Sequence, residues 1–255
     1  MDTMFKTLAV LGALAWLPQI FIFIRNLLIK PNVKIIPENR LEIGYTTFGP
    51  IINTCLAIVA ENKKALIDKI ELELTHENND TQKFKWKWFE ETLYVLDLPN
   101  HGGSLPTRKN QTAIAINVIK DELVEKKIGF QQNTFQSDLK IIDQKTIEDS
   151  INLAKAEKPN KDILASKNYN DLKDLYQNGF NWKIGKYSIK YKIYENSITA
   201  PFIHEVTFNM TALDVNNLKT NIDNCLSELE RIYINSEIVL PTWNWANISI
   251  EDKTN

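Results

Sequence analysis

The first strong feature of the hydrophobic pattern is an apolar run at the N-terminus, from Thr7 to Ile29. It contains 18 consecutive uncharged residues before its first charge, Arg25. At ~1.5 Å per residue these span about 27 Å, close to the hydrocarbon thickness of a bilayer. The run therefore predicts a transmembrane anchor over residues 1–30, because membrane helices tolerate a proline such as Pro18.

Two alternatives stay open for this run, a cleaved signal peptide and a buried helix of a soluble protein. As an anchor, the helix would place these residues in the bilayer and at its inner border: Leu8, Trp16, Phe21, Phe23, Arg25 and Lys30. One cation, Lys6, precedes the run, whereas Arg25, Lys30 and Lys34 follow it. The positive-inside rule then predicts a single-pass protein with its N-terminus outside and its C-terminal body in the cytoplasm.

Strict alternation of polar and apolar residues marks the first part of the body. Lys69–Thr75 and Lys83–Trp88 alternate on either side of a short polar turn, which predicts a β-hairpin. The second of these segments has three aromatic residues on one face (Phe84, Trp86, Trp88) and three lysines on the other (Lys83, Lys85, Lys87). With further apolar segments this gives about seven strands without intervening helices, so we predict an antiparallel β-sandwich domain over residues 31–140.

The second half of the chain has a different pattern. Residues 141–179 are polar and helix-permissive, which indicates a helical linker or insertion. Alternation returns after residue 179, and we predict a second sandwich-like β domain with added helices over residues 180–255. Apolar residues every three or four positions predict a helix over about 212–233, capped by Thr211 and Asp214.

Composition narrows the class of function. The chain has 255 residues, a formal net charge of −2 and two cysteines, Cys55 and Cys225, far apart in the sequence. It lacks the basic excess of a phosphate-binding surface, so nucleic acid is not expected as a partner. The sequence shows no disulfide framework, which is compatible with a cytoplasmic body.

The sequence contains no recognisable catalytic, cofactor or metal motif. His101–Ser104 resembles the oxyanion loop of esterases, but the G-x-S-x-G elbow that this chemistry needs is absent from the sequence. The other histidines, His76 and His204, lie far from it in sequence, and neither cysteine neighbours a histidine. We therefore predict a protein that is not an enzyme and uses no cofactor.

The predicted pair of β-sandwiches resembles arrestin-like and immunoglobulin-like tandem β-sandwich proteins. The resemblance lies in Asn53–Glu77, an apolar strand followed by a charged turn and the sequence IDKIELELTHE. It rests on this pattern, covers residues 33–130, and implies a scaffold or adaptor role. The membrane helix and the helix after Thr211 depart from the arrestin pattern, so no arrestin binding residue is carried over.

The sequence as a whole predicts a membrane-anchored adaptor, scaffold or sensor subunit that binds membrane lipid and a protein partner, with homo-oligomers left open. The predicted interaction surface consists of Trp243, Trp245, Lys83, Lys85 and Lys87. The lysines would meet anionic headgroups, unless the glutamates of the neighbouring strand balance them. The alternative is a small-molecule or carbohydrate sensor with an aromatic pocket in the C-terminal domain, lined by Trp243, Trp245, Tyr187 and Tyr191. A hydrolase with dispersed residues is a third hypothesis.

Overall fold

The computed structural model describes residues 16–25, 28–98, 103–234 and 241–253. It confirms a mainly β fold, because the described residues form an 11-stranded sheet accompanied by a few helices. In chain order, the strands are β1 (Asn32–Thr46), β2 (Gly49–Glu61), β3 (Ala65–His76), β4 (Thr81–Leu98), β5 (Gly103–Thr112), β6 (Ile116–Val118), β7 (Leu123–Gln132), β8 (Gly185–Glu195), β9 (Phe202–Met210), β10 (Trp245–Ser249) and β11 (Glu251–Asp252).

The sheet is antiparallel and curves until its two edges meet. Its strand order is β10-β1-β2-β7-β4-β3-β8-β9-β11, with β5 beside β4 and β6 beside β3. The C-terminal segment closes the sheet, since β10 pairs with β1 and β11 pairs with β9 at the opposite edge. The Ile250 N–H donates to the Asn39 carbonyl at 3.0 Å, and the Lys253 N–H donates to the Glu205 carbonyl at 3.1 Å.

The prediction of two separate sandwiches is wrong in its arrangement of strands. The strand β8, from the second predicted domain, pairs with β3 from the first along most of its length. The described strands therefore share one sheet and one apolar core, formed by the inward residues of β1–β4 and β6–β10. Alternation within a strand identifies the strand and its faces, but it carries no information on a partner that lies more than a hundred residues away.

Five helical segments pack beside the sheet. They are α1 (Asn133–Lys155), a 3₁₀ helix (Asn160–Ala165), α2 (Lys167–Asn178), α3 (Ala212–Lys219) and α4 (Asn221–Ile234). The predicted helix over 212–233 is therefore interrupted at Thr220, and the helical insertion begins at residue 133, earlier than predicted. The predicted cap at the start of α3 is present. The Thr211 N–H donates to the Asp214 carboxylate at 2.9 Å, and the Asp214 N–H donates to the Thr211 hydroxyl at 3.2 Å.

A second apolar cluster joins these helices to the end of β1. Its buried members are Tyr45, Phe135, Ile163, Tyr169, Leu172, Tyr176, Cys225, Leu229 and Tyr233. Tyr45 is fully buried, and its hydroxyl donates to the Tyr176 carbonyl at 2.7 Å. The Tyr176 hydroxyl in turn donates to the Thr47 carbonyl at 3.0 Å. These bonds fix the helices to the β1–β2 turn, beside the groove described below.

The N-terminal segment is helical over residues 16–25, and its side chains are exposed. Trp16, Phe21 and Phe23 are 63%, 69% and 65% exposed, and Arg25 and Lys30 are also exposed. Leu8, and the rest of residues 1–15, lie outside the described residues. Within the described ranges, no helix combines the length and the apolar character needed to cross a bilayer. The anchor and its orientation remain predictions of the sequence.

Alkaline pH is expected to destabilise this protein through its buried tyrosines. Burial raises the pKa of Tyr45 and Tyr176, and burial together with the Asp143 carboxylate raises the pKa of Tyr233. In the unfolded chain these groups ionise near pH ~10, while the folded protein still holds their protons. The free energy of unfolding should therefore fall as pH rises above ~10, by up to ~1.4 kcal/mol per pH unit for each tyrosine. Urea titrations between pH 8 and 11 measure this slope, and a flat profile would contradict it.

Candidate functional site

Strand register places two rows of residues on the outer face of β10, β1, β2, β7 and β4. Residues directly opposite each other in antiparallel strands share a face of the sheet. The first row is Trp245, Gly44, Ile51, Gln131 and Lys85. The second row is Asn247, Glu42, Asn53, Gly129 and Trp88. The two rows form a patch with a tryptophan at each of two diagonally opposite corners.

A groove of about 500 Å³ lies over this patch, and we call it the tryptophan groove. It is lined by Thr46, Thr47, Phe48, Ile51, Asn53, Trp88, Glu90, Asn110, Lys127, Gln131, Trp243 and Trp245. Its size is within the usual range for small-molecule sites, and its lining combines aromatic surface with side-chain amides. The groove lies next to the β1–β2 turn, which the helical cluster holds in place.

Each of the two corner indoles lies over a glycine of the neighbouring strand. A methyl group on Gly44 would lie 2.4 Å from Cζ3 of Trp245, and one on Gly129 would lie 2.1 Å from Cε2 of Trp88. Any larger residue would push the rings away from the sheet, because such distances are far below van der Waals contact. The glycines therefore allow both indoles to lie against the outer face, where they border the groove.

Trp88 reaches the outer face because of a β-bulge in β4. Trp86 pairs with Phe130 and Trp88 pairs with Gly129, so Lys87 is the extra residue. Trp86 is 8% exposed within the core, whereas Trp88 is half-buried in the groove. This corrects the prediction that Trp86 and Trp88 share a face. A bulge shifts the alternation by one residue, and nothing in the sequence pattern marks its position.

Two side-chain amides form the floor between the indoles. Asn53 and Gln131 are 6% and 7% exposed. The Asn53 Nδ2 donates to the Glu42 carboxylate at 3.3 Å, while its Oδ1 is buried without a hydrogen-bond partner in the described part of the chain. The Gln131 side chain also makes no hydrogen bond to any described residue. Buried polar atoms are normally satisfied, so an unpaired acceptor at the floor of a groove indicates a place for a ligand or a bound water.

Two of the three cations around the groove are ion-paired, and the third lies opposite a glutamate. The Lys127 Nζ lies 2.9 Å from the Glu42 carboxylate, and the Arg108 guanidinium lies 3.1 Å from the Glu90 carboxylate. Lys85, at the end of the first row, lies opposite Glu71 on β3. Each cation therefore has an acidic neighbour, and the groove presents neither a strongly positive nor a strongly negative surface.

Asn221 holds the segment that carries Trp243 and Trp245. Its side chain is fully buried at the start of α4, where its Nδ2 donates to the Asn244 carbonyl at 2.8 Å and its Oδ1 accepts the Asn244 N–H at 2.9 Å. Trp243, half-buried, packs against the helical cluster and also lines the groove. One buried amide thus fixes the wall of the groove to the helices.

Replacing Asn221 by alanine is expected to lower the free energy of unfolding by about 2 kcal/mol, because two hydrogen bonds to Asn244 are lost in a buried place. Urea denaturation followed by circular dichroism measures this loss. Asn216→Ala, at an exposed position on α3, is the matched control and should change stability by less than about 0.5 kcal/mol. Equal stability of the two variants would show that the contact with Asn244 is unimportant.

The structure brings together only part of the predicted interaction surface. Trp243 and Trp245 both line the groove, and Trp245 is 37% exposed. Lys83, Lys85 and Lys87 are exposed outside it, and Lys83 and Lys85 lie opposite Glu73 and Glu71 on β3. Their role at a lipid surface stays a prediction.

The prediction of an aromatic pocket in the C-terminal domain is wrong for two of its four lining residues. Tyr187 and Tyr191 are 1% and 0% exposed and belong to the core of the sheet, where Tyr187 stacks on Phe208 with ring centroids 5.1 Å apart. They do not join the C-terminal tryptophans, because alternation directs them to the inner face.

The histidines form no metal site in the described residues. Across these ranges, no group of three or more His, Cys, Asp and Glu side chains is placed to hold a metal ion. His76 Nδ1 lies 2.8 Å from Asn78 Oδ1, and its Nε2 lies 3.1 Å from the Ile184 carbonyl. It therefore connects the end of β3 to the segment before β8. His101 lies outside the described residues, so the predicted turn at His101–Ser104 is described only in part.

Several groove residues were missed from the sequence, namely Trp88, Gly44, Gly129, Asn53 and Gln131. One signal was available, since Asn53 interrupts the apolar segment Pro50–Ala60 on its outward face. The other members meet only through the pairing of β10, β1, β2, β7 and β4, which joins residues as distant in sequence as Gly44 and Trp245.

Comparisons with known proteins give little further information. No family model and no curated protein matches the chain. Among solved structures, a family 123 glycoside hydrolase from Clostridium perfringens, analysed for glycolipid glycan hydrolysis, is similar over 72% of this chain and 27% of its own chain, with 9% identity and a TM-score of 0.34. The chain thus spans about a quarter of that protein's length, and a likeness this distant carries no argument for its function.

Proposed function

We propose that this protein is a non-enzymatic binding protein whose tryptophan groove takes an uncharged saccharide. The observation that carries this proposal is the pair of indoles over Gly44 and Gly129, with the amides of Asn53 and Gln131 between them. A sugar ring has an apolar C–H face surrounded by hydroxyl groups. It therefore needs flat aromatic surface and hydrogen-bonding groups side by side, which is the composition of this groove.

The charge distribution supports an uncharged ligand. Lys127 and Arg108, the cations beside the groove, are ion-paired with Glu42 and Glu90. A phosphate or a carboxylate ligand would have to compete with these glutamates for each cation. A saccharide without charged groups meets no such competition, and its hydroxyls can donate to the amide oxygens.

The same ion pairs support binding rather than catalysis. Glycoside hydrolysis normally uses a carboxylic acid and a carboxylate in different environments. Glu42 and Glu90 are both partly exposed and both paired with a cation, so their environments are alike. The predicted N-terminal anchor would hold the groove near a membrane, and the predicted cytoplasmic orientation is part of this proposal.

Calorimetric titration of the full chain with a panel of neutral saccharides tests the proposal, in a detergent without a sugar headgroup. At least one saccharide should bind. Trp88→Ala and Trp245→Ala should each weaken it by about tenfold (~1.4 kcal/mol), because each removes one stacking surface. Tyr194→Ala, which removes a half-exposed aromatic ring on β8 outside the groove, is the matched control and should bind like the wild type. If the whole panel fails to bind, or if both tryptophan variants keep full affinity, the proposal is wrong.

The free edges of the β4–β5 ribbon favour a second proposal, the protein-binding adaptor. Within the described residues, β7 pairs with β4 only as far as Phe89, and β5 pairs only with β4. Unpaired edges of this kind accept an added strand from a partner protein. A photo-crosslinker at the exposed position Lys109 on β5 should then capture one defined protein in cells, whereas the same group at the exposed position Lys64 should not. Identical products at both positions would contradict the adaptor proposal.

A further inference from the structure

We infer that the ligand of the tryptophan groove is an oligosaccharide of at least two linked sugar units, lying diagonally from Trp245 to Trp88 with its hydroxyls over Asn53 and Gln131. This inference rests on the proposed function, which it makes more specific. It concerns the length of the ligand and the residues that select it, neither of which follows from the presence of aromatic surface alone.

The separation of the two indoles sets the length. Trp245 covers Gly44 on β1, and Trp88 covers Gly129 on β7. These glycines are two strands apart and lie in adjacent rows of the same face. With strands ~4.8 Å apart and rows ~6.7 Å apart, the glycines are about 12 Å from each other. A single pyranose ring is much shorter than this, so one sugar unit cannot stack on both indoles.

The residues between the indoles supply hydrogen bonds at the middle of this path. Asn53 lies beside Gly129 in the second row, and Gln131 lies beside Ile51 in the first. The two amides therefore flank the diagonal between the stacking positions, with Asn53 on one side and Gln131 on the other. A ligand that stacks on one indole and extends toward the other passes between them.

Asn53 is restricted to accepting a hydrogen bond from the ligand. Its Nδ2 is already used, because it donates to the Glu42 carboxylate at 3.3 Å. Glu42 is itself held by Lys127 at 2.9 Å, which fixes the orientation of the amide. The Oδ1 is buried without a partner in the described part of the chain and has almost no exposed surface, so it accepts a hydroxyl proton only when binding of the ligand opens the floor of the groove beside Asn53. Gln131 has no partner in the described part of the chain and can donate or accept.

A length series of the saccharide found in the panel tests the inference. The affinity of the wild type should rise by about tenfold or more between the single sugar unit and the shortest oligomer that spans both indoles, and then level off. In Trp88→Ala and in Trp245→Ala this rise should disappear, so that each variant binds the oligomer about as well as the wild type binds the single unit. Equal affinity of the wild type for one unit and for longer oligomers would overturn the inference, while the proposed function would stand. Absence of any saccharide binding would overturn both.

Gln131→Met tests the role of the amides separately. Methionine has a similar length, and Gln131 makes no side-chain hydrogen bond to a described residue, so the variant should keep its thermal stability. We expect it to bind the spanning oligomer about tenfold more weakly than the wild type does. An unchanged affinity for the oligomer would show that the ligand does not pass over the floor of the groove.

Discussion

Replacing Tyr45 by alanine is expected to lower the free energy of unfolding by about 3–5 kcal/mol, the largest effect that we foresee for a single side chain. Tyr45 is fully buried where the sheet meets the helices, and its ring contacts Phe135 and Phe180 edge to face, with centroids 6.1 Å and 5.3 Å away. Its hydroxyl also donates to the Tyr176 carbonyl at 2.7 Å. The alanine variant loses the ring, the aromatic contacts and the hydrogen bond together, and it leaves a cavity.

Tyr45→Phe separates these contributions. It keeps the ring and removes only the hydrogen bond, so it should cost about 1–2 kcal/mol. Guanidinium denaturation of both variants, followed by circular dichroism, measures the two losses. A loss below about 1 kcal/mol in the alanine variant would show that the helical cluster is not tied to the sheet through Tyr45.

Gly129→Ala is expected to reduce saccharide binding by about tenfold or more, because it displaces the indole of Trp88. The new methyl group would lie 2.1 Å from the indole, so the ring has to leave the outer face of β7. We expect a cost in stability of about 1–3 kcal/mol as well, since the site is buried under the ring. Binding is measured by calorimetry below the melting temperature of the variant.

The double variant Gly129→Ala/Trp88→Ala serves as the control for this prediction. Without the indole there is nothing for the methyl group to displace, so stability should recover relative to Gly129→Ala alone. Binding should then match that of Trp88→Ala. If Gly129→Ala binds like the wild type, the indole does not need its position over β7 and the stacking model is wrong.

The local pattern of the sequence predicted much of the fold at the level of single elements. The alternation at Lys69–Thr75 and Lys83–Trp86 matches β3 and the start of β4, and the cap at Thr211 is where it was expected. The pairing of β3 with β8 could not be predicted in this way, because an alternating strand is equally suited to many partners. The single curved sheet therefore emerged only from the structure.

The residues of the groove were likewise predicted only in part. Trp243 and Trp245 were predicted to form an interaction surface because they alternate with polar neighbours, and they line the groove. Trp88 was assigned to the core because the bulge at Lys87 reverses its face. The two glycines had no signal in the sequence, since their role depends on rings from β10 and β4 that lie over them.

The most direct test of the binding groove is a titration followed by NMR of the indole N–H groups. The chain has six tryptophans, so a sample with labelled tryptophan gives a small set of signals that single substitutions assign. Addition of the saccharide should shift the signals of Trp88 and Trp245. It should leave those of Trp86 and Trp182 unchanged, because these rings are 8% and 3% exposed inside the core. Saturating ligand that leaves the Trp88 and Trp245 signals in place, or that shifts only signals of tryptophans outside the groove, would contradict the account.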